Sequence, residues 1–219
     1  MSWREIDRAD VPSGCTLVLY RRGQEFAIRA DGLELMSNRR PGSEEELARL
    51  ACSQLPEQAR VLVGGLGMGF TLRAALDRLG SGAKVVVSEL VPEVVGWNRR
   101  HLGELADRPL DDTRVEVRVG DVARHLSQGP WDAVILDVDN GPEPLVREGN
   151  GYLYGPNGLA AIGRALSRHG RLAVWSLGPD RAFELRLRLA GFHCQTVAAS
   201  VWGRARQITH TIFLARLRH

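Results

Sequence analysis

Cysteine is scarce and unpatterned: Cys15, Cys52 and Cys194 stand far apart, with no CxxC spacing and no histidine pair beside them. That argues against a disulfide framework and against a metal site, and it fits free or buried thiols in a reducing compartment. No apolar run approaches the roughly 20 residues of a membrane span. The opening stretch MSWREIDRAD lacks the features of a secretory signal, so a cytoplasmic protein with no membrane partner is expected. Lysine is almost missing, Lys84 being the only one, and the net charge of +3 is carried by scattered arginines. Their densest runs, Arg39-Arg40 and residues 204–206, are short and lack interleaved aromatics. They read as solvated surface, with no nucleic-acid partner. Internal repeats and low-complexity segments are absent too. What is left is an ordinary globular composition over 219 residues, enough for one sizeable α/β domain with a small appendage.

The appendage is read at residues 1–42. Segments 16–20 and 25–29 flank Arg22-Gly23-Gln24 as a β-hairpin, and Asp31-Gly32 turns into a third short strand at 33–36. After a linker at 39–42, Ser43 reads as a helix N-cap. Glu44, Glu45 and Glu46 complement the helix dipole, and Glu46 has capping-box spacing, in a helix reaching about Gln54. The main domain spans residues 43–219. From Arg60 onward it alternates apolar strands at 61–64, 84–89, 114–119, 132–137 and 171–176 with helices at 70–79, 92–102, 121–127, 157–168 and 180–190. This rhythm predicts a doubly wound parallel α/β sheet. Segments 193–199 and 210–217 have no helix between them and predict a closing antiparallel hairpin. A sheet ending this way is typical of the class I, Rossmann-like AdoMet-dependent transferases. A dehydrogenase would more usually continue with further βα units.

Residues 60–76, RVLVGGLGMGFTLRAAL, join a buried strand, a glycine turn and a helix. Gly65, Gly67 and Gly69 fall where the turn needs unusual backbone angles or close approach to a ligand, and the helix that follows offers free N–H groups. Glu89, at the end of the next apolar strand, stands where nucleotide-binding α/β units place the acid that meets ribose hydroxyls. Asp121 suits a carboxylate accepting from an adenine amino group, with the Val122 N–H facing a ring nitrogen; it also suits an N-cap. Asp137 and Asp139 emerge from a wholly apolar strand, where partial desolvation raises a carboxylate toward the range of a useful base. Ordinary turn chemistry is the alternative for this Asp-Asn-Gly-Pro stretch. The loop 139–156 reads as a lid or substrate-binding segment, with Asn140 and Tyr154 as candidate substrate contacts and Tyr152 able to line a pocket. His101, His125 and His169 read as surface or capping residues.

VLVGGLGMGFTLRAAL resembles the glycine motif of the spermidine synthase (polyamine aminopropyltransferase) family, close to VLxIGGGDGGTLREV. VVVSELVPEVV is similar to its VExDxxVV segment, DDTRVEVRVGDVARHL to DPRVxxxxxDAxxFL, and WDAVILDVDNGPEPL to YDVIxxDxxDPxGPA. YLYGPNGLAAIGRALSRHGRLAVWS resembles a further family segment, and RADGLELMSNRRPGSEEELARLA the N-terminal one, LDGxxQxxxxDExxYHExLxH. The likeness covers about residues 28 to 195. It implies a nucleoside pocket at Gly65, Gly67 and Gly69, with Glu89 on the ribose, Asp121 on the adenine and Asp137 as the catalytic carboxylate. It implies decarboxylated S-adenosylmethionine or S-adenosylmethionine as co-substrate, a small-molecule amine or other acceptor, no metal, and a homodimer.

The departures from the pattern bear on the reaction. The acid inside the family's glycine motif is Met68 here, its N-terminal Gln falls at Leu35, its Tyr falls near Leu47, and DxxDP is shortened to Asp137-Val138-Asp139-Asn140. Aminopropyl transfer to a polyamine therefore heads the expectations. Methyl transfer from AdoMet to an unknown acceptor follows, favoured by Met68, and then a catalytically inactive nucleoside-binding relative. An oxidoreductase is disfavoured by the closing hairpin.

Overall fold

Tight turns fold the N-terminal segment into an antiparallel sheet. Asp31 and Gly32 both take left-handed backbone angles, φ 47° and 84°, which match the twist of the strands they join. The strands are β1 (Arg4–Asp10), β2 (Thr16–Arg22), β3 (Glu25–Ala30) and β4 (Leu33–Ser37), hydrogen-bonded in that order. The sequence reading has the last three and lacks β1, whose apolar positions are diluted by charge. Those charges have distant partners: Asp7 accepts the Trp97 indole N–H at 3.0 Å. The computed structural model describes residues 1–11, 14–39, 41–138, 142, 150–202 and 207–218.

Helix α1 (Gly42–Ala51) follows, and its start differs from the expectation. Pro41 occupies the N-cap position without a side-chain cap. The Ser43 hydroxyl donates to Glu44 instead, and Glu46 is held by Arg49, so there is no capping box. Buried Leu47, Ala48 and Ala51 join Leu19, Phe26 and Ile28 of the small sheet in one apolar cluster.

The larger sheet contains β5 (Arg60–Gly64), β6 (Lys84–Glu89), β7 (Val115–Val119), β8 (Trp131–Leu136), β9 (Leu166–Ser176), β10 (Phe192–Trp202) and β11 (Gln207–Leu217). Its order is β10-β11-β9-β8-β5-β6-β7. From β9 through β7 the pairing is parallel, whereas β11 is antiparallel to both β9 and β10. The expected closing hairpin is present with longer arms. Side-chain alternation builds both faces at once: Val61 and Val63 of β5 enter one apolar cluster, Leu62 the other.

Helices α2 (Phe70–Leu76), α3 (Pro92–Trp97), α4 (Ala123–Leu126), α5 (Pro156–Ala165) and α6 (Arg181–Leu189) connect the strands. Two stretches depart from the sequence reading. Residues 98–102, expected to continue α3, widen into a π-helical turn. The amide of Asn98 there donates to the carbonyls of Val94 and Gly67, the kind of side-chain insertion that opens a helical ladder. Residues 166–168, expected as helix, begin β9, with Leu166 paired to Trp131 and the Ser167 hydroxyl bonded to Asp132. Among the described residues no helix is long and apolar enough to cross a membrane.

Candidate active site

The strand order reverses at β5, which has β6 on one side and β8 on the other, so the carboxyl ends of these strands open on one crevice. Gly65, just past β5, has φ of 88°, and a Cβ there would lie 2.2 Å from the carbonyl oxygen of Asp137. Only glycine lets the two strand ends approach this closely. Gly67 and Gly69 are also left-handed, and Gly69 immediately precedes α2. Met68 is 3% exposed and belongs to the first apolar cluster.

Glu89 ends β6. Its Oε2 accepts the Leu66 N–H and its Oε1 the Val91 N–H, both at 2.9 Å. Burial pushes this carboxyl up, while N–H groups of Val91, Leu66, Gly67 and Leu90 pull it the other way. The two bonds leave each oxygen a further lone pair, a geometry that can accept from ribose hydroxyls. One strand over, the Ser88 hydroxyl donates to the Gly120 carbonyl, and the Gly120 N–H to the Glu89 carbonyl, each at 2.8 Å. These bonds fix the position of Asp121, whose Oδ1 accepts the Ala123 N–H at 2.9 Å, the capping role foreseen beside the adenine role. Burial pushes up the phenol of half-exposed Tyr152, as does the hydrogen bond it donates to Asp121. Val122 is buried against Gly64, in space that a side chain at Gly64 would need.

Asp137 follows β8. Its N–H donates to the Gly64 carbonyl at 2.9 Å, and its Oδ2 accepts the hydroxyl of buried Thr71, on α2, at 2.5 Å. Burial raises the Asp137 carboxyl, against the Thr71 bond. Glu44, in the first turn of α1, is pushed up to about 7 by burial and then by the negative charge of Asp137. Sequence reasoning had given Glu44 a structural role and Thr71 none. Thr71 carried a readable signal, a hydroxyl two residues beyond the last turn glycine. The signal for Glu44 was weaker: its place in the N-terminal segment that resembles the family motif.

The crevice thus gathers Gly65, Gly67, Gly69, Glu89 and Asp137, with Asp121 and Val122 at the neighbouring strand end. Tyr154 is 2% exposed and meets Phe183 edge-on, ring centroids 5.5 Å apart, within the second apolar cluster. Asp139 and Asn140 lie outside the described residues, as do Arg40 and residues 203–206. Among the described residues no three potential metal-ligating side chains come together.

No protein-family model matches the chain. Among curated proteins it is similar to the polyamine aminopropyltransferase of Pyrobaculum neutrophilum, 31% identical over 168 residues, covering 72% of this chain and 56% of that one. The polyamine aminopropyltransferase of Clostridium tetani is 37% identical over 84 residues, 37% of this chain and 30% of its own. That of Bacillus mycoides is 30% identical over 128 residues, 58% and 44% of the two chains. The matched region spans about half or less of these relatives. Among solved structures, a spermidine synthase in complex with the transition-state analogue AdoDATO superposes with a TM-score of 0.74 at 19% identity, covering 96% of this chain and 72% of that one. The spermidine synthase of Thermotoga maritima gives 0.73 at 18%, covering 97% and 72%. The fold is therefore Rossmann-like α/β with a small N-terminal sheet, the fold of these solved spermidine synthases. In sequence the chain is similar to polyamine aminopropyltransferases over part of their length.

Proposed function

We propose that this protein transfers an aminopropyl group from decarboxylated AdoMet to an amine of a polyamine. The observation that carries the reading is Asp137, held by Thr71 at the switch point beside the glycine turn and Glu89. In the proposed reaction Glu89 accepts from the donor's ribose, Asp121 from its adenine amino group, and the glycine turn lies along the sulfonium-bearing chain. The acceptor nitrogen gives a proton to Asp137, and its freed lone pair forms the N–C bond. The C–S bond breaks with its electron pair going to sulfur, leaving a neutral thioether. Burial raises the Asp137 carboxyl above the ordinary aspartate range, which makes it a better proton acceptor than an exposed acid. Holding nitrogen, carbon and sulfur in line supplies the rest. The reading includes a homodimer, as the family resemblance implies, and a cytoplasmic location, as the sequence reading expects.

One observation favours a second reading. Met68 is buried in the glycine turn where the family places an acid, so the turn has no charge to meet the aminopropyl ammonium. Methyl transfer from ordinary AdoMet would not need that charge.

Titration calorimetry with AdoMet and decarboxylated AdoMet, side by side, separates the two readings. Preference for the decarboxylated form is the expected result, and preference for AdoMet would transfer the proposal to methyl transfer. Asp137→Asn is expected to lower turnover by roughly 10²–10⁴-fold while nucleoside affinity is kept. Unchanged turnover would overturn Asp137 as the base.

A further inference from the structure

Asn98 is only 2% exposed, although it is polar and opens the π-helical turn that follows α3. Its amide nitrogen donates at 2.8 Å to the Gly67 carbonyl and at 2.9 Å to that of Val94. Two carbonyl acceptors fix which end of the amide is nitrogen, so the other end is Oδ1, and it is buried without a partner. A Cβ added at Gly69 would lie 3.2 Å from that Oδ1, so the amide lies against the glycine turn at both its ends. Two costs therefore meet at one residue. A buried oxygen left unpaired is destabilising, and so is a helix widened into a π turn, a feature that gathers at functional sites. An apolar side chain would spare the first cost and leave the Gly67 carbonyl without this donor.

We infer that Asn98 is a positioning residue for the nucleoside, which pins the Gly67 carbonyl and so holds the glycine turn in its binding geometry. This rests on the nucleoside half of the transfer reading and goes beyond it, because Asn98 acts through the turn. The turn needs such a pin. Gly67 and Gly69 take left-handed angles, φ 52° and 87°, and glycine has no side chain to keep it there. The residue before Gly67 donates its N–H to Glu89, so a shift of the turn also moves a donor away from the acid read as the ribose acceptor. With the carbonyl released, the turn samples other backbone angles, and the free energy of ordering it again is subtracted from binding. The bond to Val94 belongs to the helix itself, four residues back; the bond to Gly67 is the one that reaches the site.

Two substitutions separate the bonds. In Asn98→Ser the hydroxyl can still donate to the Val94 carbonyl, four residues back, but is too short for Gly67. Asn98→Gln keeps an amide for Gly67, and its extra methylene has room in a recess of about 240 Å³, open to solvent, that Asn98 lines with Gly103 and Pro109. The purified full chain is titrated with methylthioadenosine by calorimetry, with urea denaturation alongside. Asn98→Ser is expected to bind roughly tenfold more weakly than wild type, the worth of about one hydrogen bond. Asn98→Gln is expected to bind within about threefold of wild type. Asn98→Ser that is less stable but keeps its affinity overturns the inference, because Asn98 then supports the fold alone. Failure of Asn98→Ser to fold overturns it for the same reason. Equal weakening in both variants overturns it as well, since a retained amide should rescue binding. The serine result decides the matter whether or not the glutamine variant folds. Wild type that binds no methylthioadenosine would sink the nucleoside reading and this role together, whereas unchanged binding in Asn98→Ser sinks this role alone. The expected affinities without turnover of decarboxylated AdoMet would sink aminopropyl transfer and leave the role of Asn98 standing.

Discussion

The two halves of the crevice handle negative charge in opposite ways. On the β6 side, Glu89 is buried, yet backbone N–H groups of the glycine turn and of the chain just beyond β6 are aimed at both its oxygens. On the β8 side, Asp137 and Glu44 have one hydroxyl each and repel one another. Backbone dipoles fixed by the fold can solvate a carboxylate permanently and leave it ready for neutral hydroxyls. A single hydroxyl donor offsets less of the cost of burying a carboxylate than several fixed N–H groups do. In the proposed reaction the first half is the rigid receptor for the nucleoside, and the second holds the carboxylate that takes the proton.

The most disruptive way to break this contrast is to remove the contact that holds the halves together. In Gly65→Ala the new Cβ would lie 2.2 Å from the Asp137 carbonyl oxygen, at a φ of 88° that alanine rarely adopts. Clash and strain together are expected to cost about 3 kcal/mol of stability or more, and to abolish measurable methylthioadenosine binding. Urea denaturation and calorimetry read the two effects. Affinity within threefold of wild type, roughly 0.7 kcal/mol, would mean the halves do not depend on this approach.

Next in size is the receptor half alone. Glu89→Ala leaves the Leu66 and Val91 N–H groups facing a buried gap. Each unsatisfied donor costs about 1–3 kcal/mol. Stability should therefore fall by roughly 2–4 kcal/mol and nucleoside affinity by at least tenfold, with Glu89→Gln intermediate because its amide oxygen can keep one of the bonds. Equal effects of the two substitutions would show that charge, and not acceptor geometry, is what the receptor half needs.

The same contrast explains which parts of the site the sequence could disclose. The receptor half is local: strand, alternating glycines and an acid closing the next apolar strand are adjacent features with their own periodicity. Glu89 and the glycines could be read from them before any contact was known. The acceptor half is assembled from distant segments. Glu44 had a sufficient local explanation in the helix dipole, and nothing near it in the chain points to Asp137. Ser43 likewise looked like a cap because its neighbours fit one, but Pro41 takes that position and turns Ser43 to its own neighbour. In the fold the same limit hid β1, whose charged residues find partners such as Trp97 only in three dimensions. It also hid the π-helical turn at Asn98, since the bond that opens it reaches the carbonyl of Gly67, on another element. Apolar period carries the architecture, and polar residues paired over long range are where it runs out.

The smallest effect has an unusual sign. Burial, and after it the Asp137 charge, push Glu44 up to about 7 from the 4.5 of an ordinary glutamate. The folded protein therefore binds this proton more tightly than the unfolded chain does. The stabilisation is fully present below about 4.5 and is lost as pH rises through about 7. Above that the fold carries an ionised acid it disfavours. Glu44→Gln cannot ionise, so at about pH 8 it should be more stable than wild type by roughly 1–3 kcal/mol, the gain fading toward about pH 5. Urea denaturation across that range provides the measurement. Burial pushes the Glu89 carboxyl up as well, but Glu89→Gln gives up one of the two N–H bonds, which offsets the gain there. A gain independent of pH would mean that Glu44 is merely badly packed and that its ionisation is not what the fold disfavours. A gain that follows the titration would mean that the fold gives up stability above neutrality to keep an acid at this position.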